Sequence, residues 1–214
     1  FEIAPLYEEA NIAADHNQLL MDLLIRIARN HGMVCLLHEK PFVFFNGSGK
    51  HVNWSLMDSR GRNCFTPGDS RNSRLVFLSF LAGFLCGVNR HHGLLQAVLA
   101  SPGNELRLGG HEAPPAILSV FLGEELQRIL DDPGAFVEGK CGKAELKRFE
   151  EFVPAILQDL SDRNRTSPIA FTGNKFEFRM VGSSQSAATP CAVLNTAVAD
   201  VLASFADRLE KAAG

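Results

Sequence analysis

Ionisable side chains stand at four places in this 214-residue chain where a core strand or a tight loop has no use for them. Glu2 lies among apolar residues at the start. His51 follows the Gly-rich run Asn46-Gly47-Ser48-Gly49-Lys50, and Asn53 and Ser55 alternate with it, so one strand face carries an imidazole, an amide and a hydroxyl. Val52, Trp54 and Leu56 fill the other face. Arg107 and Glu112 flank Gly109-Gly110, and Lys175, Glu177 and Arg179 alternate with Phe176, Phe178 and Met180. Carboxylates with one imidazole suit magnesium or manganese, and arginines around such ions suit phosphoryl transfer, which is mostly positioning and charge neutralisation.

Each feature also has a plain structural explanation. Glu177 between Lys175 and Arg179 reads equally as a solvated ion-pair face, and Glu112 as a carboxylate at a helix N-terminus. Arg163 and Arg165 read as surface charge, and the Gly-rich run as a hairpin turn. A phosphate-binding P-loop is excluded, because Lys50 is followed by His51 and the position required for its first glycine is Phe44.

Several elements must position these groups. Phe1 to Tyr7 alternates as a strand, and a helix is expected over Glu8 to His31, with Gly32 ending it. Met33 to Leu37 reads as a short buried strand. A turn at Asp58 to Arg62 and a loop at Thr66 to Ser73 lead to a long helix, Arg74 to Ala100. A loop over Ser101 to His111 precedes a helix that Pro115 starts and that runs to Leu130. An amphipathic helix follows over Ala144 to Leu160. Ile169 to Thr172 and Lys175 to Val181 form a hairpin around Gly173-Asn174, and a last helix starts near Pro190. The fold class is α+β, with short strands separated by long helices.

Composition narrows the classes. Hydrophobic residues make up 46% and charged residues 21%, ordinary for a globular protein. A net charge of -3 gives no basic face for nucleic acid. The five cysteines are scattered without a CxxC pair, which favours reduced thiols and a cytoplasmic setting over a disulfide framework or zinc site. The longest apolar run, Leu75 to Val88, reads as a buried helix too short for a membrane span. The chain opens at Phe1 without a methionine and reads as a piece of a longer protein.

The ordered segments Glu2-Ile3-Ala4-Pro5, Asn46-Gly47-Ser48-Gly49-Lys50-His51, Arg107-Leu108-Gly109, Glu112-Ala113-Pro114, Arg163-Asn164-Arg165-Thr166-Ser167 and the run from Phe171 through Glu177 and Arg179 to Ser186 resemble glutamine synthetases. The Ala-Pro after Glu2, the Lys before His51 and the Phe171–Ser186 run resemble the type III branch. The resemblance spans essentially the whole chain. It implies a mainly antiparallel, curved sheet with long flanking helices, as in the glutamine synthetase/guanido kinase-like catalytic domain. It also implies ATP-dependent ligation of ammonia to L-glutamate through a γ-glutamyl phosphate.

On this resemblance Glu2 is a ligand of a first metal, and His51 and Glu177 are ligands of a second, magnesium or manganese. Asn46 and Gly47 hold the substrate amino acid. Arg107 and Arg179 grip the glutamate carboxylate and the transferring phosphoryl group, and Arg165 meets the nucleotide phosphates. Lys175 stands where the family has another arginine, Asn53 replaces a histidine near the nucleotide, and Ser55 keeps its place. Glu112 resembles the mobile-loop glutamate that shields the acyl phosphate and takes a proton from ammonium. The family's further glutamate falls at Ala10 here, and Glu8 or Glu9 just before it is the expected substitute, with Glu8 favoured because even spacing from Glu2 keeps it on one strand face if the strand continues.

The resemblance makes residues 1–214 a partial catalytic domain, with about 116–161 a helical insert and the N-terminal domain and first catalytic strands upstream of Phe1. It implies a homo-oligomer of stacked hexameric rings for the complete protein. Two alternatives stay open: a non-catalytic regulatory or assembly relative of the same fold, and a γ-glutamyl ligase using another amine.

Overall fold

Alternation along one strand gives the sheet its two characters. In β4 (Phe176–Gly182), Phe176, Phe178 and Met180 are buried toward the helices, while Glu177 and Arg179 point to the other face. The computed structural model describes residues 2–140 and 167–214. Within them β4 pairs antiparallel with β1 (Gly49–Trp54) on one side and with β3 (Ile169–Phe171) on the other. β2 (Val120–Phe121) adds to β3 in parallel, giving the order β1-β4-β3-β2. The hairpin between β3 and β4 turns at Gly173, whose φ of 90° suits glycine, and Thr172 N donates to Lys175 O at 2.9 Å.

The described helices are α1 (Ala10–Asn30), α2 (Arg71–Arg90), α3 (His92–Leu99), α4 (Pro102–Arg107), α5 (Gly123–Asp131), α6 (Pro133–Val137) and α7 (Ala188–Ala213). The core lies where α2 and α7 cover the sheet's apolar face. The rings of Phe84 and Phe176 stack there at a centroid distance of 3.6 Å, with Phe65 edge-on to Phe176. Trp54 packs beside Phe84, and its Nε1 donates to Asn195 Oδ1 at 2.7 Å, tying β1 to α7. The mixed α+β architecture is the one expected.

Several elements differ from the sequence reading. Residues 2–9 form no strand: Leu6 and Tyr7 are 90% and 91% exposed, and alternation alone, without a strand to pair with, makes no ladder. Residues 33–37 are likewise irregular and largely exposed, not a buried strand. The single helix expected over Arg74 to Ala100 is two. α2 begins earlier, where Ser70 and Ser73 form a reciprocal capping box. It ends where His91 leaves helical geometry and reaches Asp200 on α7, while His92 Nδ1 engages the Asn89 carbonyl.

The loop over Ser101 to His111 contains α4, started by Ser101, which accepts from Asn104 N, and by Pro102 in the first turn. No helix starts at Pro115. The apolar residues that follow supply β2 to the open edge of β3, and α5 begins only at Gly123. The expected helix Ala144 to Leu160 lies outside the described residues. α2 and α7 are each long and apolar enough to cross a membrane by length and composition, contrary to the short run read from sequence, and here each packs against the other. The four described cysteines are free thiols.

Candidate active site

The β1–β4 ladder puts Asn53 opposite Glu177, and its register is interrupted between Lys50 and Val52, at His51. Across this irregularity His51 Nδ1 lies 2.9 Å from Glu177 Oε1. The other carboxylate oxygen of Glu177 accepts from Arg179 Nη2 at 2.7 Å and Nε at 3.0 Å. Arg179 is 4% exposed, so this is no solvated ion-pair face. The His51 hydrogen bond, opposed by burial and reinforced by Arg179, holds the Glu177 carboxyl down at about 2. Glu177 is therefore a fixed negative charge on a face whose neighbours are an imidazole and a guanidinium.

The Gly-rich loop enters β1 beside this constellation. Ser48 N donates to Glu39 O at 2.8 Å, and Arg107 lies directly beneath the loop. A Cβ on Gly49 would stand 2.1 Å from Arg107 Nη2, so glycine is required there by contact. Arg107 is buried, with Nη2 donating to Arg179 O at 3.1 Å and Nη1 to Asn104 Oδ1 at 3.1 Å and to Val181 O at 3.4 Å. Burial lowers its pKa, opposed by the Glu39 charge. The expected substrate-gripping arginine is thus engaged with the backbone of β4 and the underside of the loop.

Other expected site residues are placed as follows. Asn46 and Gly47 are exposed on the loop, Asn53 is exposed on β1, and Ser55 lies just past its end. Lys175 is partly exposed at the β3–β4 turn. Glu112 is exposed in the turn after α4, next to His111 at φ 50°; no helix starts there, so the helix N-terminus explanation falls. Glu2 is exposed on the irregular N-terminal segment. The ground for choosing Glu8 fails, because no strand carries it alongside Glu2, and its carboxylate pairs with His16 at 2.7 Å. Arg165 lies outside the described residues.

Sequence reasoning missed the structural roles of two buried polar residues, Asn104 and Glu39, and of the part-buried Lys50. Asn104 donates through Nδ2 to Leu99 O and Met180 O, fastening α4 to β4. Lys50 Nζ donates to Ser183 O at 2.5 Å and also to Gln185 O, and burial lowers its pKa to about 8. Glu39 is 2% exposed and accepts from Ser184 N at 2.9 Å and Ser184 Oγ at 2.6 Å. Only α4 had a readable signal, the Ser-Pro start that precedes Asn104 by two residues.

One imidazole and one ionised carboxylate are the donor types that divalent magnesium or manganese accepts. Among the described residues no third His, Cys, Asp or Glu joins His51 and Glu177, so the described chain offers two ligands of this kind.

A family model described as glutamine synthetase, catalytic domain, matches residues 1–116. A type-3 glutamine synthetase of Dictyostelium discoideum is 50% identical over 203 residues, 94% of this chain and 28% of that protein. A glutamine synthetase of Bacteroides fragilis is 48% identical over 215 residues, 99% of this chain and 30% of that protein. A solved structure described as a GmaS/ADP complex matches 93% of this chain and 38% of its own, with a TM-score of 0.58 at 19% identity, which bears on the fold alone. The chain belongs to the glutamine synthetase family, and its resemblance to the type III branch is borne out. It spans less than a third of the length of these two curated relatives.

Proposed function

We propose that this chain supplies part of the active site of an enzyme that ligates ammonia to L-glutamate, using ATP and a γ-glutamyl phosphate intermediate. The observation that carries the reading is the His51–Glu177–Arg179 constellation beside the Gly-rich loop, an ionised carboxylate with an imidazole and a guanidinium on one sheet face. In the overall reaction a γ-carboxylate oxygen attacks the ATP γ-phosphorus and ADP leaves. Ammonia then attacks the acyl carbon, the C–O bond breaks, and phosphate departs with that oxygen.

His51 and Glu177 would hold a magnesium or manganese ion, which when bound neutralises phosphate charge. Arg179, oriented by Glu177, would meet the transferring phosphoryl group. Asn46 and Gly47 would hold the amino acid on the loop that Arg107 supports, so Arg107 is assigned to shape that pocket from beneath. Asn53, Ser55, Lys175 and Arg165 would meet the nucleotide. Glu112, on its exposed turn, would take a proton from ammonium and keep water from the acyl phosphate. Glu2 would complete a second metal site with upstream residues, and Glu8 has no assigned role.

We also propose that residues 1–214 are part of a larger catalytic domain, with about 116–161 an insert, in a cytoplasmic oligomer of stacked hexameric rings. The test is phosphate release from ATP by the complete polypeptide with magnesium. Release that requires both glutamate and ammonium supports the reading, whereas a folded, assembled protein silent with ammonia overturns it.

A further inference from the structure

We infer that Glu39 is a positioning residue for the Gly-rich loop, its buried carboxylate anchoring to the exit of β4 the main chain whose carbonyl holds Ser48, so that the loop can receive the substrate amino acid. The inference rests on the reading that this loop holds glutamate.

Four chain segments meet at this residue. Its own carbonyl accepts from Ser48 N at 2.8 Å, and that same oxygen would stand 2.5 Å from a Cβ on Gly47. Its Oε1 accepts both donors of Ser184, in the turn after β4. A Cβ on Gly182 would lie 2.4 Å from Oε1, and a Cβ on Gly103, in α4, 2.3 Å from Oε2. The two glycines thus clear room for the carboxylate from opposite sides. Two residues earlier, Leu37 O accepts from Ser183 Oγ at 2.6 Å, so the strap over residues 37–39 is tied to the β4 exit twice.

A residue needed only to fill this volume would be apolar, because burying a carboxylate is unfavourable by several kcal/mol unless hydrogen bonds and opposite charges compensate. Here the compensation is arranged: Ser184 supplies two hydrogen bonds, one from its amide and one from its hydroxyl. Lys50 grips the carbonyls of Ser183 and Gln185, and Arg107 grips those of Arg179 and Val181. Two cations, one at the start of β1 and one below the loop, are thus fastened to the same strand and exit turn to which Ser184 ties the Glu39 carboxylate. Removing its charge while keeping its shape should loosen the loop without emptying the core.

The experiment compares Glu39→Gln and Ser184→Ala with wild type in the complete polypeptide, each shown to be folded and assembled. Two readouts are taken: amide hydrogen exchange at Ser48 to Lys50 without substrate, and the KM for glutamate with kcat per folded site. Glu39→Gln should raise the KM about tenfold, the factor for losing one charge-assisted interaction, with kcat within about twofold. Ser184→Ala, at an exposed residue, should raise it about threefold. Both should speed loop exchange. Unchanged exchange and unchanged KM in the folded variants overturn the inference, as does a lowered melting temperature with KM unchanged. If wild type itself shows no glutamate-dependent turnover, the functional reading falls, and the exchange data alone decide whether Glu39 positions the loop.

Discussion

His51 and Glu177 meet across a break in the β1–β4 register, Nδ1 to Oε1 at 2.9 Å, although 126 residues separate them in sequence. The irregular step between Lys50 and Val52 directs the imidazole at the carboxylate. Arg179 holds the second oxygen, so the carboxylate keeps one orientation and one charge state at neutral pH.

Glu177→Gln in the complete polypeptide should reduce ammonium-dependent phosphate release at least about 100-fold while leaving assembly unchanged. Steady-state kinetics beside a size measurement checks both halves. Retained activity would remove Glu177 from the mechanism.

The same carboxylate makes stability depend on acid. Its folded-state pKa, about 2, lies below the ordinary 4.5, so its contribution is fully present above pH 4.5 and is lost as pH falls toward 2. The full contribution is on the order of 3 kcal/mol. Urea midpoints at pH 5 and pH 3 should therefore fall more steeply in wild type than in Glu177→Gln.

Magnesium or manganese should raise the melting temperature of wild type. At about 100 times the dissociation constant the stabilisation is roughly 2.7 kcal/mol. Replacing His51 by Ala should abolish most of that shift, and a shift of equal size in the variant would exclude His51 as a ligand.

Arg107→Met should destabilise the fold by about 2–4 kcal/mol, because it leaves the Arg179 and Val181 carbonyls without the donor they have now. Denaturant unfolding measures this directly. Unchanged stability would mean that the guanidinium does not brace β4.

The hairpin around Gly173, the polar face of β1 and the long helices α1 and α7 were legible because periodicity and turn chemistry act locally. The break at His91 was not, since it depends on Asp200, which is distant in sequence and brought close only by packing of α2 on α7. β2 exists because β3 presents an edge to it, a fact that no window around Val120 contains. Phe1 to Tyr7 shows the converse: its pattern is strand-like, yet its described residues find no strand to pair with. At the site, His51 stood out on the polar face of β1, and Glu177 and Arg179 as charges on the otherwise apolar β3–β4 hairpin. Glu39 gave no signal, because a glutamate in a polar His-Glu-Lys triplet reads as exposed until Ser184 and two glycines are seen to enclose it.

The most direct measurement follows oxygen. The complete polypeptide is given ATP, ammonium, magnesium and glutamate labelled with ¹⁸O in its γ-carboxylate, and the released phosphate is analysed by mass. The expected result is one labelled oxygen in each phosphate, carried over when the acyl phosphate is broken by ammonia. Unlabelled phosphate formed at the same rate would contradict the acyl phosphate, and with it the role assigned to this site.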